Sequence, residues 1–290
     1  MLAPQTPPIP ALLVAFLVAL FAVTPESRAL AAPASRRSPP LTPWQMQRRM
    51  GLGINLGNTL DAPEEGAWAP AARASFFDQF KARGFTNVRI PVQWGHHVAS
   101  RAPFAVDPEF MDRVSEVVGW CLDRGLVCVI NAHHDEWLED AFHSAMPRFE
   151  ALWEQIGARF ANASEALLFE IYNEPHAAQF TADDLNAMNA RILPIIRAHN
   201  PTRIVIFGGL HYMNPSWIVQ NPRVLSFPAN DSQIMLEIHN YDPFDYASGG
   251  KQGPSIHSWG SGADYARLRQ WMDQIGNWSL AHRVPLYYGE

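Results

Sequence analysis

Two glutamates in this chain of 290 residues each stand at the end of an apolar run that predicts a β-strand. Glu174 ends the run 167–174, and Glu290 ends the run 285–290. Burial near apolar walls raises the pKa of a carboxyl group, as a general acid that works near neutral pH requires. Two facing carboxylates about 5 Å apart, with no obligatory metal, can act as the acid/base and the nucleophile that cleave a glycosidic bond with retention. The pair predicts this chemistry more specifically than either glutamate does alone.

A buried cation and a strand-end tyrosine are predicted to support the second carboxylate. Arg89 lies within the apolar run 88–92, and a buried arginine needs a carboxylate partner. Next to Glu290 it would keep that nucleophile ionised by lowering its pKa, although a structural salt bridge elsewhere is the alternative. His239 and Tyr241 are two residues apart and therefore face the same side of one strand. We expect Tyr241 to donate to the nucleophile, and His239 to donate to a substrate hydroxyl or to a partner side chain.

The segment 131–136, Asn-Ala-His-His-Asp-Glu, contains clustered His, Asp and Glu side chains that suggest a metal site. It lacks the one-turn spacing of the H-E-x-x-H motif, and neighbouring residues of a strand point in opposite directions. We therefore predict that His133 and His134 bind sugar hydroxyls, and that the protein uses neither a metal nor another cofactor. Asn173, beside Glu174, is predicted to hold a sugar hydroxyl through its side-chain amide.

Seven short apolar runs, separated by segments with helical periodicity, are predicted to position these side chains. The predicted strands are 53–56, 88–92, 127–132, 167–172, 204–207, 234–239 and 285–289. Gly84 and Gly125 each follow a helical pattern, at the place where a C-cap glycine belongs. Strands that alternate with helices predict a parallel sheet that is buried on both faces.

An open doubly wound sheet and a closed (β/α) barrel both fit this series. No G-x-G-x-x-G motif follows the first strand, whereas a barrel predicts polar residues at the C-terminal ends of its strands. Such residues are Asn55, Asn58, Arg89, Asn131, His133, His134, Asn173, Glu174, His239, Tyr241 and Glu290. We predict an α/β protein with a (β/α)8 barrel of which seven strands are present, so that the sequence is a fragment of a longer chain.

Tryptophans in the predicted loops suggest a cleft for sugar rings, because aromatic faces stack on the apolar faces of pyranoses. The loop tryptophans are Trp68, Trp94, Trp137 and Trp259. Trp120, Trp153 and Trp271 lie on helical stretches and are predicted to be structural.

Composition excludes several other classes of protein. The chain is 48% hydrophobic and 17% charged, which is not the composition of a disordered protein. A formal net charge of −6 argues against a nucleic-acid surface, and the longest apolar run argues against stable membrane association. We expect a monomer whose partner is a polysaccharide. Cys121 and Cys128 are either two buried free thiols or a local disulfide.

The amino-terminal forty residues are predicted to lie outside the fold. The apolar run 11–23 is too short to cross a membrane but fits the core of a signal peptide, and Ala29-Leu30-Ala31 fits a cleavage site. We predict a signal peptide at 1–31, a linker at 32–42 and a catalytic barrel at 43–290 that lacks its last strand and helix. The protein is thus expected to be secreted, to the exterior or the periplasm. Since no Lys or Arg precedes the apolar run, an uncleaved anchor or a misassigned start codon is the alternative.

These motifs together resemble glycoside hydrolase family 5, and in particular its bacterial endoglucanases, some of which also cut mannans. The similar stretches are 51–63, Val88-Arg89-Ile90-Pro91, 131–134, Tyr172-Asn173-Glu174-Pro175-His176, His239-Asn240-Tyr241 and 286–290. The resemblance implies a (β/α)8 fold, with Glu174 as acid/base and Glu290 as nucleophile. It also implies that His133 and His134 line the −1 sugar site, and that Asn55 and Asn58 belong to a strand and loop near the −2 sugar.

The activity that the resemblance implies is endo-hydrolysis of β-1,4-glucosidic bonds in cellulose or related β-glucans. Activity on β-mannan, xyloglucan or mixed-linkage glucan is the alternative within the family. A barrel that binds glycans without cleaving them is the alternative from another class. It rests on the absence from this sequence of the Gly-rich stretch and tryptophan-bearing eighth strand that follow the nucleophile in the family.

Overall fold

A curled sheet of seven parallel strands forms the centre of the computed structural model, which describes residues 40–248 and 258–290. The strands lie side by side in chain order, each parallel to its neighbours, as in a (β/α) barrel. They are β1 (Gly53–Asn55), β2 (Asn87–Ile90), β3 (Val127–Asn131), β4 (Leu167–Glu170), β5 (Val205–Phe207), β6 (Ile234–Ile238) and β7 (Leu286–Tyr288). All seven predicted strands are confirmed, with ends that agree within two residues.

Helices connect the strands, as the sequence periodicity predicts. They are α1 (Pro43–Met50), α2 (Ala74–Ala82), α3 (Pro108–Asp123), α4 (Trp137–Asp140), α5 (Phe142–Arg159), α6 (Ala182–His199), α7 (Leu210–Met213), α8 (Pro215–Gln220), α9 (Phe244–Ala247) and α10 (Gly262–His282). Gly84 and Gly125 follow the ends of α2 and α3 with φ of 87° and 70°, the left-handed conformation expected of C-cap glycines.

Alternation along each strand separates two environments. In β2, Val88 and Ile90 are fully buried in the layer between the sheet and its helices, while Arg89 points to the interior of the curled sheet. The interior is apolar towards the amino ends of the strands, where Val127, Leu168 and further aliphatic side chains pack together. It becomes polar at the carboxyl ends. This gradient places buried charges where the predicted site residues lie.

Helix α1 covers the apolar end of the interior. Met46 and Met50 pack there against side chains of β3 to β7. Thr42 accepts a hydrogen bond from the backbone N–H of Gln45, whose side chain bonds back to Thr42, a capping box worth about 1 kcal/mol. Thr42, the last residue of the predicted linker, thus caps the first helix; the predicted signal peptide and residues 32–39 lie outside the described residues.

Two side-chain amides, one from β1 and one from α1, bind the backbone of the last strand and of the residue that follows it. Asn55 Nδ2 donates to the carbonyl of Gly289 at 2.8 Å, and Gln47 Nε2 of α1 donates to the carbonyl of Leu286 at 2.8 Å. These bonds keep β7, and with it Glu290, close to β1 and β2. The seventh strand therefore completes the group of polar strand ends.

The two cysteines do not form a disulfide, and no described helix is suited to cross a membrane. Cys121 and Cys128 are both free and fully buried, which decides between the thiol and disulfide alternatives in favour of thiols. Among the helices of the described residues, none combines the length and the apolar character needed to cross a membrane.

Candidate active site

The two predicted carboxylates face each other at the carboxyl ends of β4 and β7. Oxygen atoms of Glu174 and Glu290 and a ring nitrogen of His239 all lie within 4.8 Å of one another. The side chains of Glu174 and Glu290 are 24% and 17% exposed, so both are reachable from solvent yet largely enclosed. This is the pairing that the sequence predicts.

Arg89 is the central cation of the site and is completely buried. Its Nη1 donates to Glu290 Oε1 at 2.6 Å, and its Nη2 donates to Asn173 Oδ1 at 2.6 Å. Nε and Nη2 bind Glu170 in a bidentate pair at 2.7 and 2.9 Å. The predicted contact with Glu290 and the alternative salt bridge elsewhere are therefore both present.

Glu290 is held in its ionised form. Burial alone would raise its pKa, but Arg89, His239 and the hydroxyl of Tyr241 together lower that pKa below the usual value. The Tyr241 hydroxyl donates to Glu290 Oε2 at 2.7 Å, as predicted, and burial and that carboxylate raise the pKa of Tyr241 far enough to keep the donor proton in place. An ionised carboxylate with both oxygens oriented is suited to nucleophilic attack.

The Tyr241→Phe variant is expected to shift the acid limb of the kcat/KM profile to higher pH by about one unit. The Tyr241 hydroxyl donates to the ionised form of Glu290, so its removal raises the pKa of Glu290. One hydrogen bond to a charged group contributes about 1.5–3 kcal/mol, and a shift of one pKa unit corresponds to about 1.36 kcal/mol. Because a carboxylate acts as a nucleophile only when it is ionised, activity is expected to be lost at a higher pH on acidification. Tyr265→Phe, on the exposed part of α10, is the control, and an unshifted limb in Tyr241→Phe would contradict this role.

Glu174 is presented by a strained backbone. Its φ of 47° lies in the left-handed region, which costs a non-glycine residue of the order of 1 kcal/mol. Its Oε1 lies 2.7 Å from His239 Nδ1, so His239 contacts a partner side chain, one of the two predicted possibilities. Such a conformation persists only where neighbouring groups enforce it.

Glu139, which no sequence pattern singles out, binds the backbone next to Glu174. Glu139 lies in α4 and is buried. Its Oε2 accepts the backbone N–H groups of His176 and Ala177 at 2.7 and 2.6 Å, and its Oε1 accepts the hydroxyl of Tyr172 at 2.9 Å. One carboxylate thus fixes the chain on both sides of Glu174. A single glutamate in a short loop helix gives no signal of this in the sequence.

Replacing Glu139 with alanine is expected to lower the free energy of unfolding by about 3 kcal/mol and to reduce kcat, because two backbone N–H groups lose a charged acceptor. Denaturant unfolding and initial rates measure the two effects. Glu150→Ala, which removes one partner of the more exposed Arg191 pair, should change stability by less than about 1 kcal/mol. Equal losses in both variants would argue against an anchoring role for Glu139.

Two further buried carboxylates, Glu170 and Glu237, surround Arg89 and were also missed. Glu170 makes the bidentate pair with Arg89 and accepts Asn131 Nδ2 at 2.9 Å. Glu237 Oε1 lies 3.0 Å from Arg89 Nε. A charged residue inside an apolar parallel strand is the signal that singled out Arg89, and the same signal in β4 and β6 could have found both.

A histidine pair and a tryptophan lie in the loops beside these carboxylates. Burial and the Arg89 charge hold the pKa of His133 well below its usual value, so its ring is neutral. Its Nε2 lies 3.5 Å from Asn173 Nδ2. His134 packs edge-on against His133 and against Trp68, which is half exposed. The structure brings these predicted residues together, and their contact with sugar stays a prediction.

The two predicted asparagines of the first strand and loop differ in what they contact. Asn55 accepts Arg89 Nη1 at 3.2 Å and donates to Gly289, so both ends of its amide are bound to protein groups. Asn58 has φ of 59°, and its backbone N–H donates to Asp61 Oδ2. Asn55 therefore positions Arg89 and β7, which the sequence did not predict.

The loop tryptophans are not one set of sugar platforms. The prediction is wrong for Trp94, which is fully buried, donates from Nε1 to the Asn131 carbonyl and packs against Phe110. Trp137 is only partly exposed, and the guanidinium of Arg148 lies 4.2 Å from its ring centre. Trp68 and Trp259 are exposed, as a platform would be. The helical tryptophans pack against the core, as predicted.

Two clusters among the described residues bring potential metal ligands within 4.8 Å of one another: Asp61 with His133 and His134, and Glu174 with His239 and Glu290. In the first, the Asp61 carboxylate already accepts the backbone N–H groups of Asn58 and Thr59. In the second, the Arg89 guanidinium contacts Glu290. The carboxylates of both clusters thus have proton-bearing partners, and two-carboxylate chemistry requires no metal.

Comparison with known proteins agrees with this geometry. The sequence profile of the family Cellulase (glycosyl hydrolase family 5) matches residues 53–290. Endoglucanase H of Acetivibrio thermocellus is 42% identical over 258 residues, which are 89% of this chain and 27% of that protein. Cellulase/esterase CelE of the same organism is 33% identical over 84% of this chain and 31% of that protein. The chain thus spans less than a third of the length of these two relatives.

Solved structures of endoglucanases are also similar to this chain. Endoglucanase Cel5A from the hyperthermophilic Thermotoga maritima superposes with a TM-score of 0.80 at 34% identity, over 85% of this chain and 80% of that chain. Its complexes with cellobiose and with mannotriose give TM-scores of 0.78 and 0.79 at the same identity, over 84% and 85% of this chain and 80% of those chains. With a profile match over most of its length, the chain belongs to the cellulase family, glycosyl hydrolase family 5.

Proposed function

We propose that this protein is a retaining endo-β-1,4-glucanase that acts on cellulose or related β-glucans. The observation that carries the proposal is the separation of Glu174 and Glu290, whose nearest oxygens lie within 4.8 Å. Retaining glycosidases have carboxyl groups about 5–5.5 Å apart, whereas inverting enzymes need about 6.5–9.5 Å to admit a water molecule between them. The spacing supports direct attack by one carboxylate.

The environment of each carboxylate supports a distinct role. Glu290 is kept ionised by Arg89 and attacks the anomeric carbon, while Glu174 protonates the departing glycosidic oxygen. Water then attacks the anomeric carbon while Glu174 takes its proton, and the bond to Glu290 breaks, so that the two displacements together retain the configuration. Arg89 stays charged throughout: burial disfavours its charge, but the neighbouring Glu170 and Glu290 carboxylates raise its pKa.

The choice of polysaccharide is supported by relatives rather than by a sugar contact. Endoglucanase is the name of Acetivibrio thermocellus protein H and of Thermotoga maritima Cel5A, and the latter has been crystallised with both cellobiose and mannotriose. We therefore place β-1,4-glucan first. β-Mannan, xyloglucan and mixed-linkage glucan are the next substrates to examine, and His133, His134 and Trp68 are the residues expected to distinguish them.

Hydrolysis of soluble cellulose derivatives and cello-oligosaccharides tests this function, with the anomeric form of the first product followed by proton NMR. A β-anomer that appears first, together with a rapid fall in viscosity, is the expected result. An α-anomer would overturn the retaining mechanism. Binding to cellulose without release of reducing ends would support the glycan-binding alternative, and a higher kcat/KM on mannan would reassign the substrate.

We also propose that the protein is exported and works as a monomer. The apolar run 11–23 and the small residues at 29–31 support export through a cleaved signal peptide. Amino-terminal sequencing of protein recovered from the culture medium or periplasm should begin at Ala32. Retention in the cytoplasm with an intact Met1 would contradict export. Light scattering that gave a dimer mass would contradict the monomer.

A further inference from the structure

Glu237 lies beside the candidate catalytic groups and has no role in the mechanism above. It is fully buried in β6, two residues before His239, so the two side chains face the same interior. Its Oε1 lies 3.0 Å from Arg89 Nε and 3.1 Å from His239 Nε2. Its Oε2 is buried and has no hydrogen-bond partner within the described part of the chain. A buried carboxyl oxygen without a hydrogen-bond partner is costly and needs an explanation.

The neighbours of Glu237 supply that explanation. The charged and titratable groups that face it are Arg89 from β2, Glu170 from β4, His239 from its own strand and Tyr287 from β7. Glu170 Oε2 and Glu237 Oε1 lie 2.7 and 3.0 Å from the same atom, Arg89 Nε, and Glu170 is itself fully buried. Two buried carboxylates at one guanidinium nitrogen repel each other when both are ionised, which favours a proton on Glu237 that is donated to Glu170. Burial and the charge of Glu170 both raise the pKa of Glu237.

The His239 ring connects Glu237 to Glu174, because its two nitrogens contact one carboxyl group each. Glu237 Oε1 lies beside the positive guanidinium of Arg89, and a protonated His239 ring donates its Nε2–H to that oxygen. Although burial disfavours the charged ring, hydrogen bonds to Glu174 and Glu237 raise the pKa of His239 to about 9. The imidazolium then donates from Nδ1 to Glu174 Oε1 at 2.7 Å. Glu174 must therefore carry its catalytic proton on the other oxygen, Oε2.

Glycine at position 289 allows this packing. A Cβ there would overlap Glu237 Oε1 and come within 3.0 Å of His239 Nε2. The backbone immediately before Glu290 therefore lies against both side chains, which also contact Arg89 of β2 and Glu174 after β4.

We propose that Glu237 is a positioning residue that acts as a neutral carboxylic acid, sharing its proton with Glu170 and holding the ring of His239 so that Nδ1 donates to Glu174. Glu237 does not touch substrate in this account. It determines which oxygen of Glu174 carries the proton for the leaving group. The inference rests on the proposed function only for its kinetic consequence, since the shared proton is a property of the folded protein.

Two substitutions of Glu237 test whether its side chain acts as a neutral acid or as an ionised carboxylate. Glu237→Met removes both the acceptor for His239 and the donor to Glu170, and kcat on cello-oligosaccharides should fall about 100-fold with little change in KM. Glu237→Gln keeps an oxygen towards His239 and an N–H towards Glu170, and should recover most of that loss. Glu116→Met, at an exposed glutamate paired with Arg113, is the matched control. An equal loss in the Gln and Met variants would overturn the proposal.

The pH dependence of stability gives a readout that does not need activity. The folded pKa of Glu237 is raised above the unfolded value, so the wild type loses stability as pH rises from the unfolded towards the folded pKa. Glutamine has no such proton. The Tm of Glu237→Gln relative to wild type should therefore increase with pH over that interval, and a difference that is constant or decreases would contradict a shared proton.

Infrared spectroscopy observes the proton directly and remains informative if Glu237→Met fails to fold. At neutral pH the wild type should show a protonated-carboxyl band that is missing in Glu237→Gln. The absence of that difference would overturn the proposal. If the band is present but the wild type hydrolyses no β-glucan, the proposed function fails while the shared proton stands.

Discussion

Replacing Glu290 with glutamine is expected to reduce kcat on cello-oligosaccharides by about 10⁵-fold or more, the size of effect seen when a nucleophile is removed. The amide cannot form the glycosyl–enzyme ester, since it lacks the negative charge that Arg89 and Tyr241 stabilise. Initial rates with purified wild type and variant give the ratio. Retention of more than a few per cent of wild-type activity would contradict the assignment.

The fold of this variant should survive, which makes the loss of activity interpretable. Arg89 keeps its bidentate pair with Glu170, and the Asn55 amide still holds β7 to β1. Thermal unfolding and cellobiose binding should therefore remain close to wild type. The Glu116→Gln variant carries the same change of charge at an exposed position and should retain full activity.

Replacing Glu174 with glutamine should reduce kcat by about 10³-fold on substrates that need protonation of the leaving group, within the usual range for a lost general acid. A dinitrophenyl cellobioside has a leaving group that departs without a proton, so the first step on that substrate should be nearly normal. The second step should stay slow, because no base activates water. A burst of dinitrophenol followed by slow turnover is the expected result.

Azide provides the control for this second variant. It needs no base, so it should release the accumulated glycosyl–enzyme and give a β-glycosyl azide from Glu174→Gln, but not from Glu290→Gln. Equal losses on the activated and unactivated substrates, without rescue by azide, would contradict an acid/base role for Glu174.

Much of this site could be predicted from the sequence because its signals are local. Buried parallel strands are continuous apolar runs, so Glu174, Arg89 and Glu290 stand out as charges at or within them. Period-two alternation predicted that His239 and Tyr241, which follow β6, face the same side, and there they contact Glu174 and Glu290. Since the carboxyl ends of parallel strands meet at one edge, strand assignment alone brought these residues together.

The rest depends on contacts that sequence spacing does not encode. Glu139 anchors the loop around Glu174 from another loop, and nothing in its neighbours along the chain indicates that contact. Trp94 follows a strand as Trp68 does, yet its Nε1 finds a backbone carbonyl in the core and the ring is buried. The proton that we propose for Glu237 depends on a second carboxyl group at the same guanidinium, a proximity that only the folded chain defines.

Trapping the glycosyl–enzyme tests the central claim most directly. A 2-deoxy-2-fluoro-cellobioside with an activated leaving group should accumulate as a covalent adduct, because the fluorine slows the oxocarbenium-like transition state of the second step. Mass spectrometry should find one added fluorocellobiosyl group, located by peptide digestion on Glu290. An adduct on a different residue, or turnover of cello-oligosaccharides with no adduct, would contradict a double displacement through Glu290.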